Sequence, residues 1–223
     1  MSSQPTKARA AQAGVTRPSR SKVSKRVVAA EQRRGAIVAA AFDEFVARGF
    51  AATRLDDVAR RAGVAKGTIY LYFEDKEALF QELVRTALVP LIEQLAQPPE
   101  PGGSARAMLE RFAETFVREV AGTRRGDILR LIIAEGPRFP ALSEFYYREV
   151  VARGLAGMTR LIEYGIARGE IRQEALARFP QLVVAPAMVS IIWHGLFARY
   201  AALDVPAMLR AHLDVIFGPR SSP

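Results

Sequence analysis

Cysteine is absent from the 223-residue chain, tryptophan occurs once and histidine twice. Without thiols there is no disulfide framework, no thiolate metal site and no cysteine nucleophile, which fits a reducing cytoplasm. His194 and His212 stand far apart in sequence, with no carboxylate–histidine spacing to support a metal site. Walker loops, GxGxxG, nucleophile elbows and HExxH are missing, so no cofactor is implied. The carboxylates Glu110, Glu114, Asp127, Glu135, Glu144 and Glu149 are spread along the chain and single out no catalytic pair. Catalysis therefore has no positive support. The N-terminal stretch lacks the apolar run of a secretory signal. The most apolar stretch, Leu182 to Phe197, is broken by Pro186, Ser190, His194 and Gly195. A membrane span needs about 20 predominantly apolar residues, so this stretch is read as a buried or subunit-interface helix and no membrane partner is expected.

What the chain does have is apolar and basic. Half its residues are hydrophobic, enough for a sizeable core in one or two domains. The net charge is +9, and Lys7, Arg9, Arg17, Arg20, Lys22, Lys25 and Arg26 supply seven of those charges in residues 1–30, which contain no acid. Only +2 is left for the remainder. Residues 1–30 are read as a basic, largely disordered arm, which either adds contacts to a polyanion or serves as a solubilising terminus.

The most informative stretch runs from Thr53 to Lys76. Leu55, Val58, Ala59 and Ala62 recur at spacings of three and four, one apolar face of a helix, and Gly63 follows where a positive φ can end it. A second segment, Lys66 to Phe73, keeps Ile69 and Phe73 on one side and turns Thr68, Tyr70 and Tyr72 elsewhere. Two short helices about a glycine-bearing turn describe a helix-turn-helix, whose second helix enters the major groove. Lys66-Gly67-Thr68 suits that use: the glycine allows close backbone approach, the hydroxyl can bond a base edge or phosphate, and the lysine carries charge. Asp75 is placed to cap the next helix, whose first amides can hold a phosphate. On spacing alone, a solvated helical hairpin in an ordinary all-α domain fits as well.

The longer run Gly49-Phe50, Thr53, Val58-Ala59, Ala62-Gly63-Val64, Lys66-Gly67-Thr68-Ile69-Tyr70, Tyr72-Phe73 and Lys76-Glu77-Ala78-Leu79 resembles the TetR/AcrR family of transcriptional regulators over residues 33 to 80. The resemblance implies a three-helix DNA-binding head. It also implies that the side chains of Thr53 and Tyr70 meet phosphate, that Lys66, Gly67, Thr68 and Tyr72 lie nearest the bases, and that Lys76 pairs with a phosphate. Losing Lys76 would then lower the salt slope of binding by about one.

Other helices follow from periodicity. Glu31–Arg48 carries Ile37, Val38, Ala41, Phe42, Phe45 and Val46 on one face and closes at Gly49. Lys76–Gln97 is a long amphipathic helix with Pro90 inside it, where a kink is expected; the resemblance makes it the lever between head and body. The run Pro98 to Gly103 is a break. Beyond it, apolar patterns at 105–120, 127–134, 140–168, 174–202 and 206–217 show no strand alternation. The expected fold is all-α: an arm (1–30), a helix-turn-helix head (31–80) and a helical ligand-binding and dimerisation bundle (81–223). The last two helices carry more apolar surface than a terminal pair needs, which with the resemblance implies a homodimer.

Ligand sites commonly lie between helices of bundles. Phe112, Phe116, Ile133, Tyr146, Tyr147, Met158 and Trp193 are candidates to line one, with Glu135 or Arg138 as polar anchors. The chain is thus read as a cytoplasmic, dimeric, ligand-responsive repressor of a partly palindromic DNA operator, its effector unidentified. A sequence-tolerant architectural DNA binder, or an all-α small-molecule binder or enzyme with a vestigial reader, are the alternatives.

Overall fold

The structure, a computed structural model, describes residues 20–97 and 102–218. It divides into two units, residues 1–36 and 37–223. In the first, the described residues are helical from Arg20, the start of α1 (Arg20–Ala52). Residues 20–30, expected to be disordered, are therefore helical, while residues 1–19 lie outside the described residues. The stretch from Arg20 to Arg34 lacks Gly and Pro and is rich in Lys, Arg and Ala, which favour helix without needing an apolar face. Val27 and Val28 accordingly remain exposed.

In the second unit, α1 contributes Ile37, Ala41, Phe42 and Phe45 to a buried cluster. Gly49 interrupts the helix at φ 78°, where L side chains are strained. α2 (Leu55–Arg61) and α3 (Lys66–Ile69) follow, separated by a turn in which Gly63 sits at φ 67°. α4 (Lys76–Ala87) is capped by Asp75, whose Oδ1 accepts from the Ala78 amide at 2.7 Å. Phe45, Phe50 and Phe80 meet with ring centroids 5.4–6.1 Å apart, packing α1 against α4 beneath the helix-turn-helix.

The kink expected at Pro90 is a break. α4 ends at Leu88, a turn residue with φ −114°, and α5 (Val89–Ala96) restarts with Pro90 in its first turn, where its missing N–H costs nothing. The body continues with α6 (Ala105–Glu119), α7 (Arg124–Glu135), α8 (Pro140–Tyr146), a π-helical segment (Tyr147–Ala152), α9 (Arg153–Ala167), α10 (Ala175–Arg178), α11 (Gln181–Leu196) and α12 (Val205–Phe217). The long run expected at 140–168 therefore contains a π turn. Its wider winding re-phases the side chains: Leu142, Phe145 and Val150 join the cluster shared with the head, and Met158, Leu161 and Ile162 join the bundle core. Among the described residues no strand occurs, and no helix is long and apolar enough to cross a membrane.

His212 on α12 is half-buried, and its Nε2 has no hydrogen-bond partner. Burial pushes its imidazole below the ordinary value, opposed by the backbone of Leu182 and Val183 on α11. The unfolded chain therefore takes the proton more readily, so stability present above about pH 6.5 is lost as pH falls from there through the lower value of the folded state. The melting temperature is expected to fall between pH 7.5 and 5.5, and His212→Gln to flatten that part of the slope. An identical slope in the variant would assign the loss elsewhere.

Candidate DNA interface and effector cavity

The helix-turn-helix is held to α1 by charge. Glu44 is buried on α1 and accepts from Arg61 Nε of α2 at 2.7 Å, with Arg48 Nε 3.2 Å away. Arg48 and Arg60 both reach Asp57, and Arg124 of α7 pairs with Asp43 while lying over the Phe42 ring. A buried carboxylate with two arginine partners fixes orientation more than it adds stability.

On this base, α3 buries Ile69 and the following turn buries Phe73, leaving the opposite side to solvent. Lys66 and Gly67 are exposed, Thr68 and Tyr72 partly so, and Tyr70 is half-exposed. Lys66 Nζ donates to Asp56 Oδ2 at 2.7 Å, and that carboxylate holds its pKa above the ordinary value. Both groups are well solvated, so the pair is weak and a phosphate can replace it. A Cβ added at Gly67 would meet nothing within 4 Å. Leu71, which motif matching passed over, is 82% exposed on the same segment. Its position midway between buried Ile69 and Phe73 was the available signal.

Two residues expected at phosphate also bond within the head. Thr53 is 3% exposed and its Oγ1 donates to the Gly49 carbonyl at 2.8 Å. Lys76 Nζ donates to the Phe50 and Ala51 carbonyls at 3.0 and 3.1 Å and lies 4.6 Å from the Phe50 ring centroid. Both side chains satisfy carbonyls at the end of α1 that have no intrahelical partner. Lys76→Ala is thus expected to cost about 1–3 kcal/mol by orphaning those carbonyls, seen as a lower melting temperature, while the salt slope of DNA binding stays put. A slope reduced by about one would return the ammonium to a phosphate.

Within the body, α5, α6, the α8–π–α9 run and α11 enclose a cavity of about 740 Å³. Phe112, Phe116 and Tyr146 line it as expected. The other four candidates do not. Ile133 is 50% exposed because α7 buries its Ile128–Leu131 side, and Tyr147 is 60% exposed, turned outward by the π turn. Met158 is wholly buried in the bundle core. Trp193 donates Nε1 to the Ala201 carbonyl at 2.8 Å and packs on Phe197. Nor do Glu135 and Arg138 anchor it: Glu135 lies against α1, where a Cβ on Gly49 would come within 2.5 Å of its Oε1, and Arg138 is exposed beside it. The polar wall is instead Gln94, Gln97, Arg111, Thr115 and Tyr146. Burial pushes the Tyr146 phenol well above its ordinary value, so it is a neutral hydroxyl at pH 7.

The cavity touches parts that also hold the head. Leu88 stands at the α4–α5 break, Leu129 on α7 and Tyr146 on α8. Phe139, at the start of α8, packs on Phe50 at 4.8 Å between ring centroids. Among the described residues no cluster of three or more His, Asp or Glu could hold a metal ion.

Residues 37–83 match the model of bacterial regulatory proteins of the tetR family, and residues 99–216 that of the tetracyclin repressor-like C-terminal domain. The HTH-type transcriptional repressor BepR of Brucella suis is 31% identical over 65% of this chain and 71% of its own length. Two solved structures share the fold. A complex of SmeT with triclosan has a TM-score of 0.69 at 18% identity, covering 86% of this chain and 99% of that one. The regulator FadR from Bacillus subtilis in complex with stearoyl-CoA has a TM-score of 0.64 at 22% identity, covering 83% and 98%.

Proposed function

The chain belongs to the TetR family of bacterial transcriptional regulators, and from that premise we propose that it is a cytoplasmic, dimeric repressor released from its operator by a small molecule. The observation that carries this reading is one cavity whose walls are built on the helices that grip the head. Leu88 lies where α4 leaves the head, and α7 and α8 press Glu135 and Phe139 against the end of α1. A ligand filling the cavity biases the head only through its differential affinity for two arrangements of these walls.

The reading segment Lys66 to Tyr72 supplies the DNA contacts, with Lys66, Gly67 and Thr68 nearest the bases and Tyr70 on phosphate. Thr53 and Lys76 hold the end of α1 rather than the duplex. Dimerisation uses α11 and α12. Leu182, Val189, Ile192 and Leu196 are exposed along the first and Val215 on the second, and two copies of this pair would form a four-helix contact. Two heads would then address half-sites about 34–36 Å apart or a multiple of that.

The family fold is recorded with triclosan in one relative and stearoyl-CoA in another. Occupancy by small molecules supports the effector reading, and the difference between the two leaves the ligand class to this chain's own residues. Selection of duplexes from a random library, followed by binding at fixed salt, tests the proposal. Enrichment of an inverted repeat bound at least about a thousandfold better than scrambled DNA is expected. Equal, salt-sensitive binding to all duplexes would mean an architectural DNA binder instead.

A further inference from the structure

Resting on the effector reading above, we infer that the cavity takes an anionic amphiphile: a slim apolar chain whose negatively charged head lies at Arg111. The lining is asymmetric in charge. Among the described residues Arg111 is its only charged member, and no Asp, Glu, Lys or His faces the space. Thr115 and Tyr146 contribute neutral hydroxyls and Gln94 and Gln97 neutral amides. A cationic head beside this wall would meet only a like charge, whereas an anion would meet the guanidinium. Arg111 has five N–H donors, so it can take an anion alongside the protein contacts it already makes.

Three of these polar groups share one cavity wall and are open to solvent. Gln94 and Gln97 lie at the C-terminal end of α5 and Arg111 in the first half of α6, and all three are exposed. All three line the one cavity, beside Leu95 and Met108. The other end, at Leu88, Leu129 and Val150, joins the cluster shared with the head. The eight residues of α5 separate Leu88 from Gln97, and nine steps of 1.5 Å give about 14 Å of mostly apolar wall. A head held at the open end would thus lay its chain inward toward the α4–α5 break. The same chemistry could come from a free carboxylate or from an acyl thioester on a phosphate-bearing carrier.

Calorimetry with the full chain would compare dodecanoate, dodecanoyl-CoA, dodecanol and dodecyltrimethylammonium, with release of a selected duplex as the second readout. At least one of the two anions should bind about tenfold or more tighter than dodecanol, and the cation more weakly than either. Whichever anion leads identifies the source. Arg111→Gln should erase the preference for the anion while leaving dodecanol affinity in place, a pattern that misfolding would not give. Equal binding of anion and alcohol, preference for the cation, or an undiminished preference in Arg111→Gln would overturn the inference and leave the effector reading standing. Failure of every probe to bind would overturn the inference and leave the effector reading standing, and binding without release of the duplex would overturn the effector reading alone.

Discussion

Gly67→Leu is expected to abolish specific DNA binding while leaving the fold intact. In the free protein a side chain at this position points into open solvent, with no atom within 4 Å of its Cβ. Replacing glycine in a helix favours folding by up to about 1 kcal/mol, although α3 spans only Lys66–Ile69 and the gain should be smaller. The melting temperature should therefore hold or rise slightly. On DNA the balance reverses, because the first turn of the reading helix must bring its backbone against base edges. An isobutyl group there separates Lys66 and Thr68 from the groove, and loss of two such contacts raises Kd at least about a hundredfold, close to 2.7 kcal/mol. Fluorescence anisotropy on the selected duplex, beside a thermal melt, reads both effects. Binding within about threefold of the parent would mean that this turn does not face the groove.

How far the sequence foretold the molecule depended on whether a residue's role was local. Gly49 and Gly63 end helices through their own backbone preference, and both adopt positive φ as their positions suggested. Asp75 caps α4 because a short carboxylate three residues before an amide suffices. Phe112 and Phe116 reach the cavity because their helical face is set within α6. Roles that depended on distant neighbours went astray. Lys76 was expected at a phosphate; that it also caps carbonyls 25 and 26 positions earlier is signalled by no spacing within its own helix. Tyr146 and Tyr147 were taken together as cavity residues, and the π turn that starts at Tyr147 sends them to opposite sides. Glu135 and Arg138 were expected as polar anchors of the cavity, yet Glu135 lies against Gly49 of α1 with Arg138 beside it. The α5 wall, with Leu91, Ile92 and Leu95, was visible as an apolar pattern but had been read only as a lever.

Phe139→Ala should be strongly destabilising although it lies outside the reading segment. The ring stands 4.8 Å from Phe50 in an edge-on arrangement, with Lys76 Nζ 5.6 Å and the Arg138 guanidinium 5.9 Å from its centroid. Removing it takes one aromatic from the cluster that joins α1 to α8 and opens a gap beside the two carbonyls that Lys76 caps. Buried phenylalanines truncated to alanine cost about 3–5 kcal/mol; Phe139 is only partly buried, which brings the expected loss to about 2–3 kcal/mol, or about 5–10 °C in melting temperature for a chain of this size. Tyr147→Ala, outward-facing on the same run, should stay within about 0.5 kcal/mol. The decisive comparison is with Lys76. Both side chains hold the same end of α1, so the double variant should lose less stability than the two single losses added together, by about 0.5 kcal/mol or more. Hydrogen exchange should then report earlier opening of the Phe50–Ala52 amides in each single variant. Additive losses would mean that α8 and Lys76 secure the head independently, and the path from the cavity wall through Phe139 to the reading helix would have to be abandoned in favour of α4 alone.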